Sequence, residues 1–197
     1  MAKLKAPLFS LGASGSIAKT LVYFPWKGLN AVREHVVPTN PQTGPQTTQR
    51  ARMTAAVAEF HGASYSASDI TAFARLAGAE GLIMTGFNRM VKEFIDESIA
   101  GNTWERIHGV FTQNITVDAI EVHCTKAAGG NECFIRYGTR KTYFPDTFEM
   151  GDTGGDNWEG TLPSLSANTL YYFTIDVGAT GTDWGRVGVY MARTLAA

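Results

Sequence analysis

Little in this sequence is suited to covalent or metal chemistry, and each scarcity excludes something. Two residues of 197 are cysteine, Cys124 and Cys133. That is too few for a disulfide scaffold and too few to hold a structural zinc alone. They read either as two buried thiols or as one bridge, the bridge requiring an oxidising environment after assembly. The four histidines are His35, His61, His108 and His123. None stands in a His-x-x-x-His or beside a Cys-x-x-Cys, so each reads as a surface or hydrogen-bonded histidine and no metal ligand set is expected. The chain has no Gly-x-Ser-x-Gly elbow, no Walker loop and no dinucleotide fingerprint. Glu93, Asp96 and Glu97 fall on the polar side of a predicted helix, where water leaves their acidity ordinary and unsuited to acid–base work. The stretch from Gly151 through Asp152 and Asp156 to Asn157 lacks the frame and closing Glu of a calcium loop, and reads as an acidic loop between strands. No catalytic residue, cofactor or metal is expected.

Long apolar runs are missing as well. None approaches the roughly 18 residues of a membrane helix. The basic start at Lys3 and Lys5 leads into no signal-peptide core, because Gly12, Ser14, Gly15, Ser16 and Lys19 interrupt it. Synthesis in a cytoplasm is the expectation.

What is present is a globular composition, 44% hydrophobic with 21 glycines, and an uneven charge. Residues 1–53 hold seven bases against the single acid Glu34, a formal +6, and the remainder holds ten bases against seventeen acids, −7. Such asymmetry predicts an acidic partner for the N-terminal part, either nucleic acid or the acidic part of a neighbouring copy. No interleaving of basic and aromatic residues marks a nucleic-acid module, which favours the neighbouring copy.

Along the chain, residues 1–15 read as a flexible arm punctuated by glycine and serine. Residues 17–24 and 30–37 are rich in β-branched and aromatic types on either side of a Pro25–Gly28 turn, predicting a hairpin. Trp26 lies at its tip and reads equally as an interface anchor or as a cap on the helical core. Three prolines between 38 and 45 predict an extended linker. A helix then begins near Thr43 to Pro45 and ends at Gly62. Asn40 initiates a turn, Thr43 is a candidate cap, and Gln46, Gln49 and Arg50 share one helical face. That face reads either as solvated or as docking on a neighbour. A second helix follows Ser66 or Ser68, with Ile70, Phe73, Leu76 and Ala77 as its apolar stripe. A third runs from a Thr85 cap to Gly101, with Phe87, Met90, Val91, Phe94, Ile95 and Ile99 at helical spacing. Residues 102–114 read as a link. From Ile115 the rhythm changes to period two. Six or seven short strands in about 80 residues predict a β-sandwich.

Two segments carry resemblances. Leu165, six residues before Tyr171, and the run Tyr171-Tyr-Phe-Thr-Ile175 resemble the fibronectin type III signature around its sixth strand, with Ala167 where the family usually has proline. Tyr137-Gly138-Thr139 is similar to the family's third strand. The resemblance implies that Tyr171 is a tyrosine corner with Leu165 as its core partner. In the front half, Asn40-Pro41-x-Thr43-x-x-Gln46 with Gln49 and Arg50, followed by Gly86-x-Asn88-x-Met90-Val91, resembles small structural proteins encoded by bacteriophages. Here the Arg falls one residue later than in that pattern.

Together these readings predict an α+β chain. A flexible arm spans 1–15, a hairpin and three-helix assembly domain 16–110, and an antiparallel fibronectin type III or immunoglobulin-like sandwich 115–197. The expected role is a non-enzymatic virion subunit that assembles with itself and with neighbouring virion proteins and displays the sandwich outward. The alternative is an adhesion module binding a host surface or glycan through aromatics such as Tyr143, Phe144, Phe148, Trp158 and Trp184.

Overall fold

The computed structural model describes residues 2–4, 15–17, 20–27, 29–37, 39, 42–126, 132–177 and 183–197. The chain divides into two units, Met1–Thr43 and Gly44–Ala197.

The N-terminal unit is a four-stranded antiparallel sheet. Its strands are β1 (Ala2–Leu4), β2 (Gly15–Ile17), β3 (Leu21–Trp26) and β4 (Leu29–Glu34), in the order β1-β4-β3-β2. The predicted hairpin is its centre, with Trp26 paired to Leu29. Lys27 takes a left-handed φ of 48° to close the two-residue turn. Among the described residues β2 pairs with β3 only as far as Tyr23, so Pro25 has one described neighbour strand, where a proline is tolerated. Of the arm expected over 1–15, residues 2–4 pair with β4 and Gly15 begins β2, which pairs with β3, while residues 1 and 5–14 lie outside the described residues.

The C-terminal unit begins with three helices, α1 (Gly44–Gly62), α2 (Ala67–Ala79) and α3 (Gly86–Ala100). Each has a local reason. Pro45 sits in the first turn of α1, where its missing N–H is not needed. Ser66, not Ser68, caps α2 in a reciprocal box with Asp69. Thr85 caps α3, and Gly101 ends it at φ 87°.

The strands follow: β5 (Thr103–Trp104), β6 (Ile107–Gln113), β7 (Ile120–Lys126), β8 (Cys133–Gly138), β9 (Asp146–Glu149), β10 (Gly151–Gly154), β11 (Asn157–Leu162), β12 (Leu170–Val177), β13 (Asp183–Trp184) and β14 (Tyr190–Arg193). They form two facing sheets, β10-β11-β7-β6 and β14-β12-β8-β9, with β5 and β13 as a short parallel pair. This is the strand order of immunoglobulin and fibronectin type III sandwiches. One core joins both sheets, including Ile120, Val122, Leu162, Ile135, Phe173 and Ile175. The chain is therefore α+β with a C-terminal antiparallel sandwich.

Several boundaries differ from expectation. The predicted link at 102–114 contains β5 and β6, so the sandwich starts at Ile107 and not at 115. Ile115 and Val117 lie in the loop between β6 and β7, where Ile115 still packs on the core. The acidic Gly151–Asn157 stretch is a hairpin of β10 and β11. The predicted assembly domain over 16–110 does not form one body, since the helices belong with the sandwich and the division falls after Thr43.

The physical reason is a junction that sequence periodicity does not show. Helix α2 packs where the edge strands β6 and β14 of the two sheets come together, covering edges that would otherwise expose unpaired backbone. The Val189 amide donates to the Ala72 carbonyl at 3.0 Å. A Cβ on Gly188 would stand 2.0 Å from the Ala72 carbonyl carbon, so only glycine lets strand and helix backbones meet. Gly86 serves α3 likewise, its missing Cβ lying 1.9 Å from the Ile70 carbonyl oxygen.

Candidate assembly interface

Among its described residues the N-terminal sheet buries little apolar surface. A sheet becomes stable by burying one face against another layer. In β3 the residues Val22, Tyr23 and Phe24 are all half-buried, so neither face is fully covered. Ala31 is the buried apolar residue among the described ones. Leu21 is 40% exposed, Trp26 55%, Leu29 48%, Val36 70% and Val37 73%. Arg33 lies over the Phe24 ring at 5.5 Å, a cation–π contact that shields one aromatic face. β1 and β2 are the outer strands of the order.

A second exposed surface lies on the C-terminal unit. The first two turns of α1 are exposed all round, including Gln46, Gln49 and Arg50, and Met53 one turn later is half exposed. Thr43 is exposed just before the helix, and the Thr47 and Thr48 hydroxyls donate back to the Gly44 carbonyl at 2.8 and 3.0 Å. Asn40 lies outside the described residues. Trp26 thus belongs to one unit, and Gln46, Gln49 and Arg50 to the other.

The structural residues named from sequence sit in the sandwich. The Ser166 amide donates to the Tyr171 hydroxyl oxygen at 2.9 Å, which is the tyrosine-corner geometry, and Leu165 is buried in the same core. Cys124 and Cys133 are buried free thiols, Cys124 contacting the Met150 sulfur at 3.9 Å. The neighbouring Cys133 thiol and burial together push the Cys124 thiol far above its ordinary pKa.

Sequence reasoning missed three features. Asp69 is fully buried, and its carboxylate accepts from the Ser66 amide and hydroxyl, both at 2.8 Å. It also accepts from the Gly109 amide at 2.9 Å, from the Val110 amide at 3.2 Å and from the Tyr190 hydroxyl. Gly109 and Val110 form a bulge in β6, with Gly109 at φ 63°, and the bulge turns both amides toward Asp69. Burial, followed by the adjacent Asp69 charge, raises the Tyr190 hydroxyl far above its ordinary pKa and keeps it a donor. The capping spacing Ser66-x-x-Asp69 is a usable signal for the helix start; nothing in sequence announces partners 40 and 121 residues away.

Glu93 is the second. Sequence places it in solvent, but it is buried and pairs with Arg89, whose guanidinium also makes two 2.9 Å bonds to Glu80. The buried ends of Arg89 and Glu93 neutralise each other, which is what permits a carboxylate there.

The third is a polar row on the outer face of the β11-β7-β6 strands. His123 stacks on Phe111 at 4.9 Å, its Nε2 lies 2.5 Å from Glu121 Oε1 and 2.7 Å from Gln113 Nε2, and its Nδ1 lies 4.0 Å from Glu159. Bonds from Asn114, Gln113 and His123 hold the Glu121 carboxyl down at about 2. The ligand atoms of Glu121, His123 and Glu159 fall within 4.8 Å of one another, but the imidazole is engaged with Glu121 and not open.

No family model and no curated protein sequence matches the chain. Among solved structures it is similar to the FN5 domain of Drosophila Lar, at 15% identity over 49% of this chain and 99% of that one, TM-score 0.36. It is similar to a computationally redesigned β-sandwich protein, at 17% identity over 48% and 96%, TM-score 0.36. A third likeness is to domains d3–d4 of the rat CD45 extracellular region, at 15% identity over 47% and 50%, TM-score 0.37. The fold assignment rests on strand order and core. Among the described residues no helix is long and apolar enough to cross a membrane.

Proposed function

We propose that this chain is a non-enzymatic structural subunit that assembles with copies of itself through its N-terminal sheet and presents the C-terminal unit on the resulting particle. The observation that carries the reading is a four-stranded sheet in which, among its described residues, Ala31 is buried while Leu21, Trp26 and Leu29 are exposed, followed by the exposed Val36 and Val37. Such a sheet is marginal in water alone and gains stability by covering its apolar residues or extending its edges with another chain. A second copy fits as the covering partner by charge, because the basic N-terminal 53 residues complement the acidic remainder. The type of particle rests on the resemblance of the Asn40–Arg50 and Gly86–Val91 segments to bacteriophage structural proteins, which supports a virion assembled in a host cytoplasm.

The test uses the full chain with Trp26→Asp and Leu29→Asp together. Both side chains are about half exposed, so the C-terminal core is untouched. The expected outcome in analytical ultracentrifugation is a large species for the unaltered chain and its loss in the double variant, with the thermal transition of the C-terminal unit retained. Unchanged assembly of the double variant would remove the N-terminal sheet from the interface.

A further inference from the structure

The outer face of the β9-β8-β12-β14 sheet carries a cleft that the assembly reading does not use. It measures about 250 Å³ and is lined by Arg136, Phe144, Thr174, Asp176, Trp184 and Arg186. Strand register explains the grouping. Thr174 stands directly opposite Arg136, and Asp176 follows two residues on, all on the face away from the core residues Ile135 and Ile175.

Two of the lining residues hold polar atoms without partners. Asp176 is 6% exposed, and its Oδ2 accepts from the Arg136 Nε–H at 2.6 Å, while Oδ1 is buried and has no hydrogen-bond partner among the described residues. The Trp184 indole N–H is buried and has no acceptor among the described residues. Buried polar atoms are rarely left so, and an acceptor and a donor left open at one cleft call for a ligand that supplies both. Sulfate and carboxylate bring acceptors only, and ammonium groups bring donors only. A hydroxyl brings both. The Phe144 and Trp184 rings add apolar walls suited to the C–H face of a ring, and the Arg136 guanidinium, half exposed, presents further donors toward hydroxyl oxygens. Burial moves the Asp176 carboxyl upward from its ordinary value, against the pull of Arg136 and Arg186.

We propose that this cleft binds a neutral sugar, Asp176 Oδ1 accepting from one hydroxyl and the Trp184 indole N–H donating to another. The volume suits one pyranose ring. An adjoining cleft of about 230 Å³ shares Phe144 and Arg186 and adds Glu80, Lys141 and Thr142, so a second ring has a place beside the first. This site lies wholly within the C-terminal unit and does not depend on how the chain assembles.

Saturation-transfer difference NMR on the full chain tests it, with glucose, galactose, mannose, N-acetylglucosamine, maltose, lactose and cellobiose as probes. At least one should bind, with a Kd on the order of 1 mM for a single ring. Asp176→Asn and Trp184→Phe should each weaken that binding about tenfold, the loss of one buried hydrogen bond. Phe111→Ala, on the opposite sheet, should leave it unchanged. Thermal melts of each variant show that it is folded, and the conservative Trp184→Phe keeps the ring if Asp176→Asn proves unstable. Absence of binding by every probe would overturn the proposal. So would sugar binding that survives both substitutions, or binding of inorganic phosphate that strengthens in Asp176→Asn, which would make this an anion site.

Discussion

At the scale of single residues, Asp69 has the largest predicted consequence. Its carboxylate answers two bulge amides, a helix cap and a tyrosine hydroxyl in a fully buried place. Asp69→Ala leaves those donors unpaired, so a loss of about 3 kcal/mol is expected in urea unfolding, roughly 6–12 °C in Tm for a unit of this size. Tyr190→Phe removes one donor and leaves the others, and should cost about 1 kcal/mol. Gly188→Ala should cost about 2–4 kcal/mol, because the new methyl meets the α2 backbone and not a side chain that can turn away. Glu121 makes a prediction in pH. With its carboxyl held at about 2, it stays ionised across the usual acid range. Its contribution is complete above the unfolded value of about 4.3 and disappears as pH falls through about 2. A carboxyl ¹³C titration should give that midpoint, and Asn114→Ala should raise it, because Asn114 supplies the largest of the stabilising hydrogen bonds. Tyr171 and Leu165 are legible in sequence because the corner is local, the hydroxyl reaching back five residues. Asp69 and Glu93 are not, since an acid at a helical position looks the same whether its partner is water or a buried arginine.

At the scale of elements, the three helices are readable because each has a start and a stop written within a few residues: Pro45, the Ser66–Asp69 box, Thr85 and Gly101. The strand β6 is not. Its bulge at Gly109–Val110 breaks the period-two pattern, and the sequence there lacks an unbroken alternation. The arm escapes sequence reading for a related reason. Three-residue strands such as β1 and β2 form by pairing with a hairpin already present and carry no periodic signal of their own. One glycine in these elements has no structural duty. Gly78 lies inside α2, and a methyl added there would meet nothing within 4 Å, so Gly78→Ala should raise stability by about 0.5–1 kcal/mol, the opposite sign to Gly188→Ala. Thermal melts of the two alanine variants side by side separate a glycine that backbone packing requires from one that it does not.

At the scale of the whole molecule, the change of hydrophobic rhythm correctly announces a sandwich but misplaces the division of the chain. Periodicity reports which face of an element is apolar, not which other element covers it. Helices and sandwich share α2 and its Asp69 junction, whereas the described residues of the N-terminal unit form a sheet in which Ala31 is the one buried apolar residue. A sheet of that kind, basic and apolar at once, is the reason to expect self-assembly. The most direct measurement is the mass of the unaltered 21.3 kDa chain by light scattering after size exclusion, across protein concentration and salt. The account predicts a mass several times that of one chain, falling as salt screens the attraction between basic and acidic parts. A single 21.3 kDa species at every concentration, with the N-terminal sheet folded, would contradict it.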